Sequence, residues 1–171
     1  MKKYEFTGET KEIKLLFRTA VLHRIRATVS FGFVKIGDLG GWIEKEENLS
    51  HEGKAWVCGD AKVWGDAKVC GDAKVWGDAK VCGDAEVFSA SHVLVIGAIG
   101  SRNDFTTFYR DKDNEITVKC GCFLGKIDRF LEKVTQTHGD SKYALVYRAA
   151  VEVAKLQIDL SGEAPKDADE E

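Results

Sequence analysis

Proline is almost missing from this chain. The single one, Pro165, lies in the last eleven residues, SGEAPKDADEE, which carry five acids and one lysine. That tail reads as a disordered, solvating end. Long apolar runs are missing too, so no segment is predicted to cross a bilayer. The charged opening, MKKYEFTGETK, does not lead into a signal-peptide core, so a cytoplasmic location is expected. A basic excess is also lacking. The formal net charge is −3, of which the tail supplies −4, and the near-neutral remainder gives no field for general nucleic-acid binding. Nor do the cysteines pair off. There are five, and Cys58, Cys70 and Cys82 recur every twelve residues, which puts them on different faces of any eighteen-residue turn.

What the chain has in quantity is repetition. From Gly59 to Phe88 it reads GDAKVW, GDAKVC, GDAKVW, GDAKVC, GDAEVF. A strict six-residue period suits neither an α-helix nor a hairpin sheet. It suits a parallel β-helix in which three short strands and their corners close one turn in eighteen residues. Alanine and valine, two apart, are expected to point inward (Ala61 and Val63, Ala67 and Val69, Ala73 and Val75), and the lysine between them outward. Gly-Asp is expected at the corner, with the glycine at positive φ and the aspartate bonded to a nearby N–H. Leu49 precedes Val57 by eight residues instead of six, so the first coil is expected to be irregular or to carry a two-residue insertion.

The sixth position alternates Cys58, Trp64, Cys70, Trp76, Cys82, Phe88. Trp64, Trp76 and Phe88 have two readings: corner packing, or a surface for an oligomer or a protein partner.

The regions divide as 1–52 (strands and an irregular first coil), 53–104 (the repeat), 105–160 (a cap) and 161–171 (the tail). In the cap, FTTFYR, DKDN and EITVKCGCF predict a hairpin. Ile127, Phe130, Leu131 and Val134 form one helical stripe closed by Gly139. A second helix is expected from Ser141 to Leu160, N-capped by Asp140, with Val146, Ala149, Ala150, Val153 and Leu160 on its apolar face. The cap covers the open end of the coil or joins subunits into a dimer or trimer.

The repeat resembles the hexapeptide-repeat proteins, left-handed parallel β-helices that include acyltransferases, γ-class carbonic anhydrases and non-enzymatic members. The flanks LHRIRA, GDLGGWIE, NLSHEG, GSRNDFTTFYR and VKCGCF resemble phage and prophage members of that group, often labelled transferases. The hexad departs from the acyltransferase pattern, because Trp or Cys, not a small residue, follows the inward aliphatic.

An acyltransferase of this kind would need acyl-coenzyme A and a histidine base. His92, at an outward lysine position, has the best expected geometry, while His23, His51 and His138 read as packing, turn and helix-end residues. The hexads from Gly59 to Phe88 hold no histidine, whereas a carbonic-anhydrase-like metal site needs three on adjacent coils. Cys120 and Cys122 lack an obvious third ligand, so neither metal nor cofactor is expected. The polar run Ser101-Arg102-Asn103-Asp104, continued by Tyr109, Arg110 and Asp111, has two readings. Its arginines bind a small anionic ligand, or they pair with Asp104 and Asp111. The lysine ladder is neutralised by an aspartate four residues on, which argues against nucleic acid. The preferred reading is a non-enzymatic, oligomeric binding or assembly protein of phage type, with host-defence antagonism as one version. The alternative is acyl transfer.

Overall fold

The computed structural model describes residues 1–162, and nine of the eleven tail residues lie outside that range. It begins with a long antiparallel ribbon, β1 (Tyr4–Lys14) against β2 (Thr19–Ala27), irregular in register between Phe6 and Thr10. The buried side chains of β2 are Ala20, Leu22, Ile25 and Ala27, which lay it over the body of the molecule. At the start of the ribbon Lys3 is buried and its Nζ donates to Ala55 O at 2.8 Å, while Tyr4 Oη donates to Leu49 O at 2.8 Å. These two side chains cap backbone carbonyls at the entry of the repeat.

Strand β3 (Leu39–Ile43) changes the direction of pairing. One edge runs antiparallel to β2, and the other runs parallel to a repeat strand. Gly41 allows this, because a Cβ there would lie 2.6 Å from Ala61 O.

The repeat supplies six strands of two residues each: β4 (Trp56–Val57), β5 (Lys62–Val63), β6 (Lys68–Val69), β7 (Lys74–Val75), β8 (Lys80–Val81) and β9 (Glu86–Val87). They pair in parallel at an offset of eighteen: Trp56 with Lys74, Lys62 with Lys80, Lys68 with Glu86. Every alanine and valine from Ala61 to Val87 is buried in one core. The earlier pairings, Ile43 with Val63 and Leu49 with Val69, are offset by twenty, so the two extra residues lie between Leu49 and Val57. Corner glycines take positive φ, from 59° at Gly71 and Gly77 to 69° at Gly65. The corners close through the backbone, as in Ala61 N–H to Cys58 O at 3.2 Å. The aspartates instead face outward, Asp66 to Lys45 and Asp84 to Lys112.

The expected parallel β-helix, left-handed or otherwise, is corrected by the sheets themselves. They are a mixed five-stranded sheet (β1-β2-β3-β5-β8), an antiparallel four-stranded sheet and two two-stranded sheets. Most paired residues are antiparallel, and among the described residues no solenoid carries the fold. The reason is length. Five hexads amount to less than two eighteen-residue turns, and their dipeptide strands are shared among three sheets. Each is far below the usual strand length of about five or six residues, so the longer antiparallel ribbons at both ends supply most of the sheet.

The four-stranded sheet comprises β10 (Val93–Ile99), β11 (Asp104–Arg110), β12 (Ile116–Cys120) and β13 (Phe123–Lys126). Val93–Ile99, read from the sequence as decaying repeat, pairs antiparallel with β11, so the repeat ends at Val87 and not at 104. Helix α1 (Ile127–His138) buries Ile127, Phe130 and Val134 and stops at Gly139, φ +58°. Helix α2 (Lys142–Gln157) follows, with Ser141 rather than Asp140 at its N-cap. Its buried face is Ala144, Tyr147, Ala150, Val151 and Ala154, rotated away from the expected one. Val153 and Ala149 are exposed. These elements form a second core, separate from that of the repeat. Among the described residues no helix is long and apolar enough to cross a membrane.

Candidate functional site: a pocket between the C-terminal sheet and its helices

The C-terminal sheet and its helices meet through large aromatic side chains. Here Phe130 meets Phe108, Phe123 and Tyr147 at centroid distances of 6.4, 5.4 and 5.7 Å, the first and last edge-on. Beside them is a cavity of about 200 Å³. Its apolar wall is Phe123, Phe130, Val134 and the ring of Tyr147, and its mouth carries Arg102, Asp104, Lys133 and His138. The His138 ring lies on Tyr147 at 5.8 Å and 26°. Gly100, at φ +77°, lets the Tyr147 hydroxyl come against the backbone, where any Cβ would collide with it. Burial, then the neighbouring Cys120, raises Tyr147 to about 12, so its hydroxyl stays protonated at neutral pH.

Each polar group at the mouth comes from a different place. The turn before β11 brings Arg102 over the Gly121 backbone, with its guanidinium 3.1 Å from where a Gly121 Cβ would be. Asp104 Oδ1 accepts the Phe105 N–H at 2.7 Å, which ties that carboxylate to the start of β11. Lys133, exposed, rises from α1 beside Val134. Cys120 accepts a hydrogen bond from Thr106 Oγ1 at 3.4 Å, and Cys122 is an exposed free thiol. Among the described residues no three His, Cys, Asp or Glu side chains group to hold a metal ion.

The polar cluster predicted from Arg102 to Arg110 is split by its own strand. Asp104 and Arg110 sit at opposite ends of β11, roughly 20 Å apart at strand rise, so Ser101, Arg102 and Asp104 reach the pocket while Tyr109, Arg110 and Asp111 do not. Tyr109 is buried in the repeat core, donating to Cys82 O at 2.8 Å, and burial raises its pKa. Arg110 is buried, with Nε donating to Asn114 Oδ1 at 2.7 Å and its guanidinium 4.6 Å from the centre of the Phe88 ring. Neither arginine pairs as expected with Asp104 or Asp111. Asp111 instead accepts from Lys126 Nζ and Thr117 Oγ1, each at 2.6 Å, and from the Asp113 and Glu115 N–H groups. Burial pushes that carboxyl up, but these donors outweigh it and hold it below the usual range.

His92 is corrected as well. It is buried in the 3₁₀ turn Ala90–His92, not outward, and its Nδ1 accepts the Phe88 N–H at 3.2 Å. Burial and then Arg110 lower its pKa, so the ring is neutral at pH 7. His51 stacks on Tyr4 at 4.2 Å and His23 on Phe6 at 4.7 Å.

The aromatic surface divides. Trp64, 6% exposed, is covered by Leu22, Trp42 and Cys82, with Ile13 and Leu15 of the ribbon against them. Phe88 is held between His92 and Arg110. Trp76 alone of the three stays open, 48% exposed, stacked on Phe33 at 5.2 Å with Lys74 nearby. Corner packing thus accounts for Trp64 and Phe88.

Sequence reasoning missed Lys133, His138 and Tyr147 as site residues. Phe130 and Val134 were visible only as a helix stripe, because nothing local says that a stripe leaves a cavity beside it. Neither a protein-family model nor a curated protein sequence matches this chain.

Proposed function

We propose that the protein is a non-enzymatic binding protein that captures a small anionic ligand with an apolar body in this pocket. The observation that carries the reading is the combination of an apolar wall with two exposed cations, Arg102 and Lys133, at one mouth. Few convergent polar groups over an apolar floor is the usual design of a small-molecule site. A cavity of ~150 Å³ accommodates benzene, so about 200 Å³ suits one ring or a short acyl chain with its carboxylate at the rim. The bidentate fork of Arg102 suits that carboxylate, and Lys133 adds a point charge. The acyl-transfer alternative finds no support at His92, whose ring is walled in and whose Nδ1 is engaged. The resemblance of the flanks to phage and prophage proteins fits a binding role in an infected bacterium.

Thermal-shift and calorimetric titration with benzoate, short-chain carboxylates and neutral benzamide tests this. Carboxylates are expected to raise Tm progressively, with the logarithm of their concentration once it exceeds Kd, and Arg102→Met is expected to remove their advantage over benzamide. No response of the wild-type chain to any carboxylate at millimolar concentration would overturn the reading.

A further inference from the structure

Helix α2 is apolar on two opposite faces. One packs into the C-terminal core through Ala144, Tyr147, Ala150, Val151 and Ala154. The other points away from the protein: Leu145 is 60% exposed, Val153 47% and Leu156 89%. With a rotation of 3.6 residues per turn, Leu145, Val146, Ala149, Val153 and Leu156 form one stripe opposite the buried face. The bulkier aliphatics are thus left outside while alanines are packed inside. Arg148, Glu152 and Lys155 separate the two apolar faces along one side, and this chain covers only one of the two faces.

The outer stripe also has a period. Val146, Ala149, Val153 and Leu156 are spaced three, four, three, the a/d pattern that seats one helix against another with β-branched residues at a. Its ends are charged oppositely. Lys142 opens the helix, next to its own positive dipole end, and Asp159 stands just past its C-terminus, fully exposed. A lysine at a helix start is unfavourable alone. It is favourable when an antiparallel neighbour brings the carbonyl end of a helix and an aspartate alongside.

We propose that α2 is the seam of an antiparallel, two-fold pairing between two copies of this chain. Centred between Ala149 and Val153, the pairing sets Ala149 against the partner's Val153, Val146 against the partner's Leu156, and Lys142 beside the partner's Asp159. The interface is isologous, so one stripe serves both subunits and the assembly closes at two. It is independent of ligand binding, because the pocket opens on the other side of α2, at Tyr147.

The test is sedimentation velocity of the full chain at several concentrations. A dimer is expected for the wild type. The pair Leu145→Glu and Leu156→Glu is expected to weaken it at least 100-fold, with circular dichroism and monomer Tm nearly unchanged, since both side chains are exposed. Orientation is read by charge reversal: Lys142→Glu weakens the dimer several-fold, and Asp159→Lys in the same chain restores it. A wild-type chain that stays monomeric at hundreds of micromolar overturns the proposal. So does a dimer indifferent to the double glutamate variant, and absence of rescue in the charge-reversed chain overturns the antiparallel arrangement.

Discussion

The repeat and the C-terminal unit bury their cores by opposite means. The repeat stacks alanine and valine from dipeptide strands, closed at its margins by larger side chains such as Trp56 and Tyr109. The C-terminal unit packs large rings edge to face between a sheet and two helices, and leaves a cavity beside them. Small residues in register fill the repeat core, while the large rings of the C-terminal unit border the aromatic-walled cavity. The pocket walled by Phe123, Phe130, Val134 and Tyr147, with Arg102 and Lys133 beside it, lies beyond the last repeat strand.

Substitutions sharpen that contrast, beginning with the most severe. Val69→Asp places an unpaired carboxylate in the repeat core, at a cost on the order of 5 kcal/mol or more after any neutralisation. The expected result is no soluble folded protein, and a normal denaturation curve would show that the core has slack. Trp64→Ala removes a ring enclosed by the ribbon, and about 3–5 kcal/mol is expected from the cavity left behind. Urea unfolding measures it, and a loss below 1 kcal/mol would mean that the ribbon does not seal this corner.

In the C-terminal unit, Gly100→Ala meets both a positive φ and the Tyr147 hydroxyl, and should cost roughly 2–4 kcal/mol. Adding Tyr147→Leu should recover part of that, because it removes the collision but not the backbone strain. If the double variant is no more stable than Gly100→Ala, the collision is not the cause.

Asp111 gives a pH-dependent comparison. Its folded pKa is depressed, so its stabilisation is full above the unfolded value near 3.9 and lost as pH falls through the lower folded value. Asp111→Asn should cost about 2 kcal/mol at pH 7. It should also flatten the decline of Tm below about pH 4. An acid limb unchanged in the variant would assign that decline to other carboxylates. The smallest effect is at Trp76, where Trp76→Ala should cost no more than about 1 kcal/mol, since the Phe33 stack is half open to water. A cost as large as that of Trp64→Ala would erase the distinction between closed and open corners.

Parts of this were legible in sequence because they depend on near neighbours. The inward Ala and Val, the positive-φ corner glycines, the extra two residues before Val57 and the stop of α1 at Gly139 all follow from local period or local backbone need. The overall architecture was not, because the hexads say how a turn would coil and not whether there are enough turns to carry a fold. β10 looked like fading repeat because its apolar residues kept a period that an antiparallel strand shares. For α2 the expected apolar face, Val146, Ala149, Ala150, Val153 and Leu160, shares only Ala150 with the buried one, Ala144, Tyr147, Ala150, Val151 and Ala154. Hydrophobicity alone cannot rank two apolar faces of one helix, whereas the shape of the sheet beneath can, since it admits alanine at close approach.

The candidate site shows the same division. Arg102 and Asp104 were singled out as polar groups at a transition, but their association with Arg110 was a matter of chain distance, and a seven-residue strand undid it. Sequence by itself determined the composition of the repeat core and the positions of its corners, because six-residue periodicity and glycine stereochemistry act over a few bonds. Only the tertiary structure decided the sheet architecture, the buried face of α2 and the meeting of Arg102 with Lys133, Phe130 and Tyr147. Those depend on which distant segments pack together, and packing is settled by shape and burial summed over the whole chain.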